Sequence, residues 1–185
     1  MKKLFVLTTL MMIGILPIAS IPVRGDVLDS AADGFTSKHT LTISVPPSEV
    51  YSQFINIGRW WDAEHSYSGV GQNMTIEDRI NGCFCEKLES GGEVRHMTIV
   101  FRDPGKTLRM LGGLGPLQEL GVTGSLTLSL AKADNGTTAN FTYVVGGYRA
   151  GGLQSLAPLV DKVLLHQFTR FKDHVEKRKA GTPKQ

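Results

Sequence analysis

The chain is short of cysteine: Cys83 and Cys85 are the only two in 185 residues. A disulfide-stapled fold is thereby excluded, and a domain of this size does not need one. On a regular strand, residues two apart have Cα atoms about 6.5–7 Å from each other, at or past disulfide reach. Two free, buried thiols are the expectation. No further ligands stand near them at metal spacing, so no metal is expected there. Charge of one sign is also missing. The formal net charge is +3 and mean hydropathy is −0.05, which offers no footprint for nucleic acid. The Lys177-Arg178-Lys179 cluster reads as a solvated helix end, where cations suit the dipole. Glycines at 112, 113 and 115 lack the strand-to-helix layout of a phosphate loop. No Ser–His–Asp set has a recognisable local spacing, and no internal repeat or low-complexity tract occurs.

One long apolar run is present, and it opens the chain. Met1-Lys2-Lys3 precedes Leu4 to Ile18, and Ala19-Ser20 follows. This is the layout of a secretory signal peptide. The run falls short of the ~20 apolar residues of a spanning helix, and Pro17 interrupts it; an uncleaved anchor is the alternative. Cleavage is expected between Ser20 and Asp26, in a periplasmic or secreted protein without stable membrane insertion afterwards. Removing residues 1–20 takes away Lys2 and Lys3 and leaves +1; a cut after Gly25 also removes Arg24 and leaves 0. The expected organisation is a signal and cleavage region over 1–25, a flexible lead-in over 26–36, one domain over 37–178 and a basic tail over 179–185.

Within the domain, periodicity orders the elements. Leu41, Ile43 and Val45 alternate with polar residues as a strand. Pro46-Pro47 ends it, and Ser48 is the expected cap of a helix carrying Val50 and Phe54. A second short helix is expected over 57–61. Strands are expected over 74–79, 82–88, 94–101, 107–111, 122–131 and 139–145, punctuated by Gly91-Gly92, Pro104-Gly105 and Asp134-Asn135-Gly136. Leu126, Leu128 and Leu130 share one face of a strand, as do Phe141, Tyr143 and Val145. Leu156, Val160, Val163, Leu164, Phe171 and Val175 then recur at helical spacing. The reading is an α+β fold, a curved antiparallel sheet of about seven strands around a long C-terminal helix, with two short helices after the first strand.

The two tryptophans are adjacent, in Gly58-Arg59-Trp60-Trp61-Asp62-Ala63-Glu64-His65. Neighbouring side chains diverge by about 100° on a helix and by more on a strand. One indole is expected to pack inward while the other borders an opening. Two ordinary core aromatics would look the same in sequence.

The element order, the long C-terminal helix and the Trp60-Trp61 pair resemble the START-like helix-grip superfamily, also called SRPBCC. That group includes polyketide cyclases and dehydratases, lipid-transfer domains and birch-pollen-allergen proteins. Closer similarity is to uncharacterised bacterial members, through Gly58-Arg59-Trp60-Trp61, His65-Ser66-Tyr67-Ser68-Gly69, Gly82-Cys83-Phe84-Cys85-Glu86, Arg95-His96-Met97, Gly113-Leu114-Gly115-Pro116-Leu117-Gln118 and Tyr143-Val144-Val145-Gly146-Gly147-Tyr148. The resemblance covers roughly residues 38–176 and speaks for the fold more than for an activity.

An enclosed apolar space between helix and sheet is therefore expected, holding a small lipid- or polyketide-like hydrophobic ligand. Its expected wall is Trp60, Trp61, Tyr67, Met97, Met110, Leu128, Tyr143, Leu156, Val160 and Leu164. The alternative is a cyclase- or dehydratase-like enzyme using the same cavity, with Glu86 orienting His96 as a proton carrier. Strand alternation puts Arg95 and His96 on opposite faces without saying which faces inward. Asp62, Glu64 and His65 suggest a metal or catalytic cluster, although such a trio usually lies on the surface. No cofactor and no metal are expected.

Overall fold

The structure, a computed structural model, describes residues 24–181. Residues 1–23 and 182–185 lie outside the described residues, and with them all but the last two positions of the expected signal and cleavage region and the end of the expected basic tail. Eight strands form one antiparallel sheet. They are β1 (Arg24–Ser30), β2 (Gly34–Ile43), β3 (Met74–Ile76), β4 (Cys83–Lys87), β5 (Glu93–Asp103), β6 (Thr107–Leu111), β7 (Thr123–Ala133) and β8 (Gly136–Gly146). The spatial order is β1-β2-β8-β7-β6-β5-β4-β3. Helix α1 (Pro47–Ile55) follows β2, and single helical turns follow at Ile57–Arg59, Ala63–His65 and Gly71–Asn73. Helix α2 (Pro116–Glu119) interrupts the glycine-rich loop, and α3 (Ala157–Gly181) closes the chain.

One face of the sheet makes the core. Leu126 and Leu128 of β7 and Phe141, Tyr143 and Val145 of β8 are buried, whereas Ser125, Thr127, Asn140 and Thr142 between them are half-buried. Strand periodicity thus becomes one dry face and one wetter face. The second half of α3 seals against the dry face. Phe168 stacks on Phe141 with ring centroids 4.0 Å apart, and Phe171 meets Phe54 edge-on at 5.4 Å. In the first half of α3 the apolar side chains of Val160 and Val163 are only half-buried, and Leu159 is exposed. Pro158 lies in the first turn, where no backbone donor is lost.

Several expectations change. The stretch 26–36, expected to be a flexible lead-in, instead supplies most of β1 and the start of β2, giving eight strands rather than about seven. The alternation there is weak, so the hairpin gains its order from edge pairing rather than from its own apolar pattern. Helix α1 starts at Pro47, with Pro46 at the cap position and no side-chain cap from Ser48. Prolines suit this place because the first turn has no donor to lose.

The thiol expectation is overturned as well: Cys83 and Cys85 are disulfide-bonded, with Cα atoms 5.3 Å apart. The pair lies opposite a bulge in β5. Phe84 pairs with Met97 and Cys85 with Arg95, so His96 of β5 has no counterpart on β4. A bulge bends its own strand and raises the local twist, and the Cα spacing of Cys83 and Cys85 on the facing strand is below the regular value.

Candidate functional site

The same bulge makes the site. Regular alternation would turn only one of His96 and Met97 inward, but here both are buried while Arg95 is exposed. His96, not Arg95, faces inward. Its Nε2 lies 2.9 Å from Glu86 Oε2. Glu86 on β4 is fully buried and also accepts hydrogen bonds from the backbone N–H groups of Tyr67 and Ser68. The carboxylate thus anchors the 65–68 loop and the imidazole together. The His96 ring is flanked by Phe84 at 4.9 Å and Tyr67 at 5.9 Å.

These contacts set the charge states. Burial raises the Glu86 carboxyl, but the bonds from Ser68, Tyr67 and His96 outweigh it and leave it below its ordinary value. Burial pushes His96 down, against the pull of Glu86. The pair at neutral pH is an ionised carboxylate and a neutral imidazole. The proton then belongs on Nε2, donated to Glu86, and Nδ1 carries the free lone pair. Among the described residues Nδ1 receives no hydrogen bond.

His96 borders a cavity of about 460 Å³. Trp61, the 64–67 loop, residues 114–120 and the first half of α3 complete its wall. Leu114, Leu117, Leu120, Leu156, Leu159, Val160, Val163 and Leu164 make that wall mainly apolar. Acidic Glu64 and Glu119 also border it. The Tyr67 hydroxyl donates to the Gly115 carbonyl at 3.2 Å, tying the two loops together. Burial and the charges of Glu119 and Glu86 raise the Tyr67 pKa, so the phenol stays neutral.

Of the ten expected wall residues, Trp61, Tyr67, Leu156, Val160 and Leu164 border this cavity. Trp60, Met97, Met110, Leu128 and Tyr143 do not; they are buried in the core beneath it. The tryptophans divide the work. Trp60 packs on Phe54 and Phe171 and donates to the Phe54 carbonyl, while Trp61 reaches Phe84 and donates to the His65 carbonyl. Tyr143 acts behind the wall: its hydroxyl donates to Gly112 O at 3.0 Å and accepts from Leu114 N at 3.1 Å. Gly124 makes this reach feasible, because a Cβ there would run into the Tyr143 ring. Sequence reasoning missed the α2 segment of the wall, since Pro116 to Leu120 carries no periodicity long enough to read.

Two other features compete for attention. A wider groove of about 620 Å³ runs past Arg59, Gln72 and His174, but it is more open and more polar. Ser37, His39 and Asp161 also meet, out of the cavity wall. There the same His39 nitrogen, Nε2, lies 3.0 Å from Ser37 Oγ and 3.1 Å from Asp161 Oδ1. A proton relay needs the two ring nitrogens on different partners, so this cluster ties β2 to α3 rather than activating the serine.

No family model matches the chain, and no curated protein is recognisably similar to it. Solved structures are similar in fold. A protein from Mesorhizobium loti has a TM-score of 0.56 at 15% identity, covering 77% of this chain and 97% of its own. An uncharacterised protein from Rhizobium leguminosarum has a TM-score of 0.53 at 14% identity, covering 80% and 99%. A protein from Mycobacterium smegmatis has a TM-score of 0.54 at 17% identity, covering 88% and 100%. At such identities the likeness concerns the fold alone, a sheet with a long C-terminal helix compatible with a helix-grip arrangement.

Proposed function

We propose that this protein binds a small, neutral hydrophobic molecule in the cavity between the first half of α3 and the loops at 64–67 and 114–120. The observation that carries this is the cavity itself: about 460 Å³, mainly apolar-walled, with the imidazole of His96 at its border and Glu86 behind that imidazole. Its volume lies within the usual range for small-molecule sites. At roughly 30 Å³ per non-hydrogen atom, the share of one water, it takes about fifteen such atoms. At about −0.3 kcal/mol per atom, a filled cavity gives about −4.5 kcal/mol, a sub-millimolar Kd.

Electrostatics select the head group. Glu64 and Glu119 border the cavity and ionised Glu86 backs it, so a carboxylate or phosphate head is repelled. A hydroxyl instead finds an acceptor in His96 Nδ1. Isothermal titration of chelator-stripped protein with decan-1-ol and decanoate at pH 7 tests this. Decan-1-ol is expected to bind at least tenfold more tightly; equal affinity, or no binding of either, overturns the reading.

The enzyme reading keeps one specific support, the same free lone pair on a carboxylate-oriented imidazole, which is the equipment of a general base. Its test is turnover of an enolisable polyketone, with His96→Ala abolishing it. Export belongs to the proposal too. A mature chain from the native host is expected to start between Ser20 and Asp26 by intact mass, and an uncleaved chain in membranes would refute it.

A further inference from the structure

Beside the cavity, and outside the hydrogen-bonded pair just described, a carboxylate and two imidazoles converge. Asp62 caps one helical turn and His65 ends it, and His166 approaches from α3. One donor atom from each lies within 4.8 Å of the others. His166 Nε2 is 2.7 Å from Asp62 Oδ2, and the His65 and His166 rings are 5.7 Å apart. We propose that these three residues form a binding site for a divalent transition metal of the zinc or cobalt type. One carboxylate and two imidazoles are borderline ligands that suit such ions. Donors around one tetrahedral ion at about 2.1 Å stand about 3.4 Å apart. Reaching that spacing requires the exposed His65 and His166 side chains to rotate.

What separates this group from a chance surface cluster is its support. The Asp62 N–H donates at 2.9 Å to Oε1 of Gln167, a fully buried side chain on α3 next to His166. Asp62 Oδ1 accepts from the Glu64 N–H at 3.2 Å, leaving Oδ2 toward His166. The His65 backbone is pinned by the Trp61 indole, which donates to its carbonyl at 2.9 Å. The loop carrying two of the donors is therefore locked onto the helix carrying the third. Outer bonds of this kind orient metal ligands and strengthen the site.

Arg170 Nε is 3.7 Å from Asp62 Oδ2 and 3.4 Å from the Trp60 carbonyl. It competes for the carboxylate, and it retains the carbonyl when an ion takes the oxygen. Three protein donors leave a tetrahedral ion one further position. Because His65 also borders the cavity, this places the ion at the cavity rim.

The test uses the full chain without an affinity tag, stripped by chelator dialysis. Zn²⁺ is titrated calorimetrically, and Co²⁺ is followed by its visible absorption. The expected result is one ion per chain with micromolar or tighter Kd. His65→Ala and His166→Ala are each expected to weaken it at least 30-fold, and His174→Ala to leave it within threefold. Circular dichroism checks that the variants fold, and both substitutions lie on exposed side chains. Binding well below one equivalent, or either of His65 and His166 proving dispensable, overturns the proposal.

Discussion

Replacing Glu86 by alanine perturbs the centre of the site, and the structure sets the size of the effect. The carboxylate accepts from three donors: Tyr67 N, Ser68 N and His96 Nε2. Each donor left unpaired in the interior costs about 1–3 kcal/mol. The two backbone donors are only part-buried and count at the low end. Removing a buried charge returns some desolvation energy. The net expectation is about 3 kcal/mol, equivalent to roughly 6–12 °C in Tm for a chain of this length. Glu86→Gln keeps the shape and one acceptor oxygen, so about half that loss is expected. Urea unfolding at pH 7 measures both. Hydrogen exchange gives a local readout, with the Tyr67 and Ser68 amides losing protection in Glu86→Ala ahead of the strand amides. A loss under about 1 kcal/mol, or unchanged exchange at Tyr67 and Ser68, would refute the claim that Glu86 holds the loop and the imidazole together.

Three further outcomes follow from the same geometry. Val160→Trp, on the cavity side of α3, is expected to abolish decan-1-ol binding at a stability cost of about 1–3 kcal/mol or less, the usual range for overpacking; calorimetry showing unchanged affinity would remove Val160 from the wall. Thiol titration of the denatured, unreduced protein should find no free thiol, and Cys83→Ala with Cys85→Ala should cost about 1.5 kcal/mol, the chain-entropy value for so short a loop; two free thiols would contradict the pairing. Stability should fall on acidification in two stages. His96 and His39 are held below 6.5 by burial, so the unfolded chain takes up their protons first as pH drops through 6.5. Glu86, and Asp78 through the hydrogen bonds it accepts from the Arg102 guanidinium, are held below ordinary carboxylate values, so their contribution is present above about pH 4.5 and lost as pH falls through their folded values. Urea midpoints that stay flat from pH 8 to pH 3 would contradict both signs.

Much of the architecture was legible because long periodic segments declare themselves. The alternation of Leu126 and Leu128 and the helical recurrence from Leu156 to Val175 placed β7 and α3 correctly. The wall was legible where it belongs to α3, to the residue just before it or to the tryptophan segment, as with Val160, Leu164, Leu156, Trp61 and Tyr67. It was not legible on the strands. Met97, Met110, Leu128 and Tyr143 share the inward face, but a face pattern does not say how far the helix stands off, and these four end beneath the cavity. The β5 bulge was invisible for a related reason. A single inserted residue changes parity without changing composition, yet it brings both His96 and Met97 to the buried side. His166 was missed as a neighbour of Asp62 and His65 because 104 residues separate it from Asp62.

The most direct test of the account is to see where a ligand sits. A crystal of the protein grown with 10-bromodecan-1-ol, with data collected at the bromine edge, locates the tail without bias. The account predicts one anomalous peak among Leu120, Leu156 and Val160, with the hydroxyl within hydrogen-bond distance of His96 Nδ1. A peak in the groove beside Arg59, Gln72 and His174, or an empty cavity at saturating ligand, would contradict it.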